Sequence, residues 1–200
     1  MKNIIVCLAL LFLGSSAYGQ WKAQTAETYD NTYRIAFVTS KGGTETLRIL
    51  RNMSIPAGEK GASPYDQITW QILLNKTIGD DNSVFSLVFR FDDSPKMYIL
   101  QPDKIRQEWD KNIRKYMIES DWKIWRIADT RNKERKIATD PGSIPANERI
   151  DTKGIIDLLK ASQKVSCQVI LLNKVYDTQS TVKCEFTLQN STKSINYLFR

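Results

Sequence analysis

The sequence predicts an α+β protein that is mainly antiparallel β, sandwich-like or a strongly curved sheet, with two or three short helices. Short runs of strand-forming residues recur along the chain, many of them alternating apolar and polar with a period of two. Turn-forming Gly, Pro, Asn and Asp separate these runs, and helical spacing is confined to a few stretches. With 42% hydrophobic and 26% charged residues over 200 positions, the chain is long and apolar enough to bury one sizeable core.

Tyr33 to Thr39 reads as the first strand, and Lys41-Gly42-Gly43 as the turn after it. Thr46 to Met53 returns as the second arm of a hairpin, with Leu47, Ile49 and Arg51 alternating against Arg48, Leu50 and Asn52. A loop holding Pro56, Gly58, Gly61 and Pro64 follows. Ile68 to Lys76 and Val84 to Phe91 read as strands joined by the turn Gly79 to Asn82. Asp92-Asp93-Ser94-Pro95 turns the chain into a strand from Lys96 to Leu100. From Pro102, the apolar positions Ile105, Trp109, Ile113 and Tyr116/Met117 step by three or four, which predicts a helix. Trp122 to Ala128 reads as a strand, Arg131 to Lys136 as a charged turn, and Asp140 to Pro145 as a loop. Asp151 or Thr152 caps a helix through Ser162, with Ile155, Ile156, Leu158 and Leu159 facing the core.

The last hairpin has the clearest pattern. Val165, Cys167, Val169 and Leu171 face one way on one arm, and Val182, Cys184, Phe186 and Leu188 on the other, around a turn near Tyr176-Asp177-Thr178. Both cysteines fall on the apolar face, offset from direct opposition when the turn centres near Asp177. Two readings stay open, a Cys167–Cys184 disulfide and a pair of buried thiols, and an oxidising location favours the first.

That location follows from the amino terminus. Lys2 precedes the apolar run Ile4 to Leu13, and the small residues from Gly14 follow, with Ala17 and Gly19 placed for a cut before Gln20. This is the layout of a secretory signal peptide over residues 1–19, and the run is about half the roughly 20 residues a bilayer core requires. Residues 20–200 are then a single β-rich exported domain, periplasmic or extracellular, expected to carry no further membrane-spanning segment. It has 28 basic and 22 acidic residues, a balance of +6.

The sequence contains no histidine. That excludes Ser-His-Asp and Cys-His nucleophile arrangements and imidazole zinc sites. No metal ligand set and no cofactor motif is expected. Asp92/Asp93 and Asp80/Asp81 are paired carboxylates, but they sit in turns about 24 Å apart along a strand, too far for a glycosidase pair, and aspartate favours turns. The stretch from Lys104 to Lys136 holds Trp109, Trp122 and Trp125 with eleven Lys/Arg, offset by acids including Glu108, Asp110, Glu119 and Asp121. Basic residues among aromatics suit an anionic polymer, and export makes nucleic acid an unexpected partner. The competing reading is core tryptophans beneath a solvated charged face. Asn52-Met53-Ser54, Asn75-Lys76-Thr77 and Asn190-Ser191-Thr192 match the glycan acceptor pattern, which acts only in a eukaryotic secretory cell.

Phe89-Arg90-Phe91-Asp92-Asp93 is followed by the helical segment Gly154 to Ser162, a strand, and Cys184-Glu185-Phe186-Thr187-Leu188 running into Ser191 to Phe199. This order resembles the VasI family of small exported bacterial proteins, some of them encoded beside type VI secretion systems. The resemblance covers half of the mature chain and rests on structural patterns. It implies a β-rich exported domain without catalytic residues to carry over, from which this chain departs by a long insertion at about 101–149.

The expected function is an exported, non-enzymatic binding or accessory domain, envelope- or secretion-associated. Its partner would be a protein, a glycan or an anionic envelope surface. Arg131, Lys133, Arg135 and Lys136 are the candidate binding residues, with Trp122 and Trp125 as the accompanying aromatics. The alternative is a secreted histidine-free hydrolase or lyase using carboxylate, Tyr, Lys or Arg chemistry.

Overall fold

The computed structural model describes residues 19–54, 63–75, 83–100, 105–111, 114–129, 145–173 and 178–200. Twelve strands and two α-helices lie within them. The strands are β1 (Lys22–Glu27), β2 (Thr32–Thr39), β3 (Thr46–Asn52), β4 (Ile68–Leu74), β5 (Ser83–Phe91), β6 (Lys96–Leu100), β7 (Arg106–Asp110) and β8 (Lys115–Ser120). They continue with β9 (Ile124–Asp129), β10 (Arg149–Asp151), β11 (Lys164–Asn173) and β12 (Thr178–Thr187); the helices are α1 (Thr152–Ala161) and α2 (Ser191–Tyr197).

The strands form two antiparallel six-stranded sheets, in the orders β1-β2-β3-β4-β8-β7 and β10-β9-β6-β5-β11-β12. The α+β class dominated by antiparallel β is therefore the observed one. Alternation along each strand supplies an apolar face, and the two faces meet in one core. From the first sheet come Ala36, Val38, Leu47, Ile49, Trp70, Ile72 and Ile118. From the second come Phe85, Leu87, Phe89, Leu100, Trp125, Val169 and Phe186. At the centre, Trp70 of β4 meets Trp125 of β9 edge-on at 5.4 Å and Phe89 of β5 at 6.0 Å. Phe89 and Trp125 are neighbours at 4.8 Å within the second sheet.

One end of the sandwich is closed by helices. Asp151 accepts from the Gly154 N–H (2.8 Å) as the N-cap of α1, and Ile155, Ile156 and Leu159 face inward, as their spacing predicted. Leu158 is only partly buried. Ser191 and Thr192 at the start of α2 donate to the Leu159 and Lys160 carbonyls (2.8 and 3.2 Å), which ties the two helices together. The chain after α2 is held by Arg51, whose guanidinium donates to the Leu198 carbonyl and to Gln67 Oε1 (both 3.0 Å) beneath the Phe199 ring. Arg51 shares the inner face with Ile49 through the β3–β4 register, so this cation is part of the core's lid.

The helix expected from Pro102 is not formed. Instead β7 and β8 pair antiparallel, with Asp110 opposite Lys115, and β8 pairs with β4. Steps of four keep residues on one side of a strand as well as a helix, so Trp109 and Tyr116 share a face across the hairpin and their rings lie 4.7 Å apart. The described strands within 101–149 belong to both sheets: β7 and β8 to the first, and β9 between β6 and β10 in the second. β1, β10 and α2 are elements that the sequence patterns did not single out.

Phe89 is fully buried where both sheets meet. Phe89→Ala should lower the free energy of unfolding by about 3–5 kcal/mol. Urea titration followed by tryptophan fluorescence measures it, and a loss under 1 kcal/mol would place the centre of the core elsewhere.

Candidate binding region and its charged neighbours

Among the sequence-derived candidates, Trp125 is fully buried in the aromatic centre and has no face to offer a ligand. Trp122 is partly buried against the same core. The solvated tryptophan is Trp109, 46% exposed on edge strand β7 and stacked on Tyr116. Its signal was the polar composition of Arg106–Asp110, which marks an edge strand. Arg131, Lys133, Arg135 and Lys136 lie outside the described residues, as do Asp80 and Asp81.

Four of the described basic residues around them are engaged. Arg106 pairs with Glu119 (3.0 Å), which also accepts from Gln71 (2.7 Å). Lys115 donates to the Thr44 carbonyl (2.9 Å), and Lys123 donates to the Ile68 carbonyl. Burial comes first in lowering both ammonium pKa values below the ordinary lysine value. Arg126 lies 3.6 Å from Glu148. Strand β10 pairs with β9, Arg149 opposite Arg126, so the connection carrying residues 130–145 leaves and rejoins the same edge of the second sheet.

An open depression lies at the β5–β6 turn, with Lys41, Asp92, Asp93, Gln163, Lys164 and Glu185 along its wall. Its carboxylates do structural jobs. Asp92 adopts φ 49°, a left-handed conformation that Asp tolerates better than most residues. Its Oδ1 accepts from the Gln163 and Lys164 N–H groups (2.9 and 3.1 Å), and its own N–H donates to the Lys164 carbonyl (3.0 Å). Asp93 pairs with the Lys164 ammonium (3.0 Å), and that hydrogen bond is the main cause of a raised Lys164 pKa. The Asp92/Asp93 turn is formed as expected, and it also ties β5 to the start of β11, which the turn reading did not anticipate. Among the described residues, no group of three or more His, Cys, Asp or Glu is placed to hold a metal ion.

Cys167 and Cys184 are buried and unlinked. They stand directly opposite each other, because the ladder centres between positions 175 and 176 and not near Asp177 as the turn composition suggested. The Leu188 N–H donates to the Gln163 carbonyl (2.7 Å), and alternation from there puts the cysteines in a hydrogen-bonded pair. Cβ atoms of such pairs sit near the wide end of about 4.5–5.5 Å, beyond the roughly 3.8 Å a disulfide prefers. Burial pushes the Cys167 thiol well up, and burial followed by Glu45 pushes Cys184 up to about 12.

No family model matches the chain, and no curated protein or solved structure matches it. No helix among the described residues is long and apolar enough to cross a membrane.

Two measurements follow from this geometry. Asp92→Ala removes an acceptor shared by two N–H groups and a residue suited to positive φ, so it should cost about 1–3 kcal/mol. Asp92→Asn keeps a carbonyl acceptor and the backbone tolerance and should cost less; equal losses in thermal unfolding would contradict the capping role. For the thiols, a raised folded pKa adds stability that is complete below the unfolded value of about 8.5 and is lost as pH rises toward about 12. The reduced protein should therefore lose stability more steeply with rising alkaline pH than its Cys167→Ala/Cys184→Ala variant. Parallel pH profiles would contradict it.

Proposed function

We propose that the protein is an exported, non-enzymatic binding domain for an anionic partner, a glycan or protein surface of the cell envelope. The observation that carries this is the placement of the 130–145 connection between β9 and β10, two strands paired at one sheet edge. A connection that long between paired strands is of the kind that usually serves function or linkage. It contains Arg131, Lys133, Arg135 and Lys136 against Glu134 and Asp140. The basic side chains described on β7, β8 and β9 already have protein partners. Trp109, exposed beside Tyr116, is an aromatic side chain available for stacking.

The signal-peptide layout and the VasI-like order of Phe89 to Asp93, Gly154 to Ser162 and Cys184 to Phe199 support an exported accessory role. The engaged states of Asp92 and Asp93 favour binding over a carboxylate hydrolase.

Replacing Arg131, Lys133, Arg135 and Lys136 together with Gln removes four positive charges while keeping length and polarity. Retention on an anionic polysaccharide column should fall, and the remaining retention should depend less on salt. Unchanged elution across the salt gradient, with an unchanged thermal melt, would overturn the anionic-partner reading.

A further inference from the structure

We propose that the free edge of β12 is a self-association seam, joining two copies of this chain about a two-fold axis at Cys184. The edge is unusual among the four sheet edges. β10 is three residues long, β1 six, and β7 is short and charged in the sequence Arg-Gln-Glu-Trp-Asp. β12 runs for ten residues with no proline and, among the described strands, pairs only with β11. Gln179, Ser180, Thr181, Lys183 and Glu185 along it are exposed.

The backbone orientation fixes which groups are on offer. The Leu188 N–H reaches the Gln163 carbonyl, and Phe186 lies opposite Val165. By alternation, Val182, Cys184 and Phe186 direct their N–H and C=O groups at β11. Thr181, Lys183, Glu185 and Thr187 direct theirs away from the sheet. The Thr187 carbonyl accordingly accepts from Trp21 Nε1 (2.9 Å), which closes the edge at that end. Thr181, Lys183 and Glu185 remain as the outward-facing ladder positions.

Charge then selects the partner and the register. An antiparallel copy centred on Cys184 sets Lys183 against Glu185 of the second copy, and Glu185 against its Lys183. Both pairs are hydrogen-bonding positions, and both are opposite-charge cross-strand pairs on the solvent face. Centring on Lys183 or on Glu185 would instead oppose like charges, and centring on Val182 would leave both charges unpaired. On the inner face the same register places Val182 against Phe186 of the second copy, continuing the apolar row. The sequence Lys183-Cys184-Glu185 is therefore self-complementary at the one long open edge. The seam adds strands without new core, so the association should be weak, in the range of about 1–100 µM.

Sedimentation velocity across that concentration range tests it, together with a charge-swap cycle. The wild type should convert from monomer to dimer. Lys183→Glu and Glu185→Lys each create two like-charge contacts and should weaken the dimer about tenfold. The double variant Lys183→Glu/Glu185→Lys restores both pairs and should recover the wild-type constant. Amide exchange in the wild type covers the case of a misfolded variant: protection at Lys183 and Glu185 should rise with concentration. A wild type that stays monomeric, a dimer indifferent to the single swaps, or exchange independent of concentration would each overturn the seam.

Discussion

The contact of Trp70 with Trp125 and Phe89 is what the rest of the molecule depends on. These rings come from β4, β9 and β5, so one aromatic cluster spans both sheets. Aromatic side chains bury large areas and interlock edge to face, which fixes how one sheet lies on the other. The cluster also reaches the cysteines, since Tyr98, Phe89, Cys167 and Cys184 are successive register partners across the second sheet. Their high thiol pKa values follow from the same dry interior that the rings create.

Two loops are positioned by this frame. The Asp92 carboxylate locks the β5–β6 turn to the beginning of β11, beside the end of α1. The β9–β10 pairing returns the basic connection to the rim from which it departs. The first arrangement consumes its charges in holding backbone. The second carries Arg131, Lys133, Arg135 and Lys136 in sequence between two paired strands.

Much of this was legible wherever one face of a strand is buried. Lys96–Leu100 was read with its observed bounds, and β2, β3, β4, β5 and β11 to within about two residues at most ends. The misread helix at 102–117 shows the limit of periodicity: a four-residue step is common to helices and strands, and the intervening charges gave no turn signal. β1 carries little apolar alternation in Lys-Ala-Gln-Thr-Ala-Glu, because an edge strand buries little. The sequence groups Arg51 with Leu47 and Ile49 on one face and leaves Trp125 open between a binding aromatic and a core tryptophan; tertiary contacts decide that both are buried. The arginine is buried under α2 by an amide and a carbonyl acceptor, and the tryptophan by rings from distant strands. Neither partner set is adjacent in sequence. The exposed Trp109 lies in the polar run Arg106–Asp110, whose composition marks an edge strand, and the sheet order places β7 at that edge.

A double-mutant cycle on Trp70 and Trp125 measures the sheet-to-sheet contact itself. Trp70→Leu and Trp125→Leu, made singly and together, should each destabilise the protein strongly under urea denaturation. Their losses should fail to add, with a coupling of about 0.5–1.5 kcal/mol that belongs to the ring pair. Losses that add to within about 0.3 kcal/mol would show that the two tryptophans act independently, and that the sheets are held together by something else.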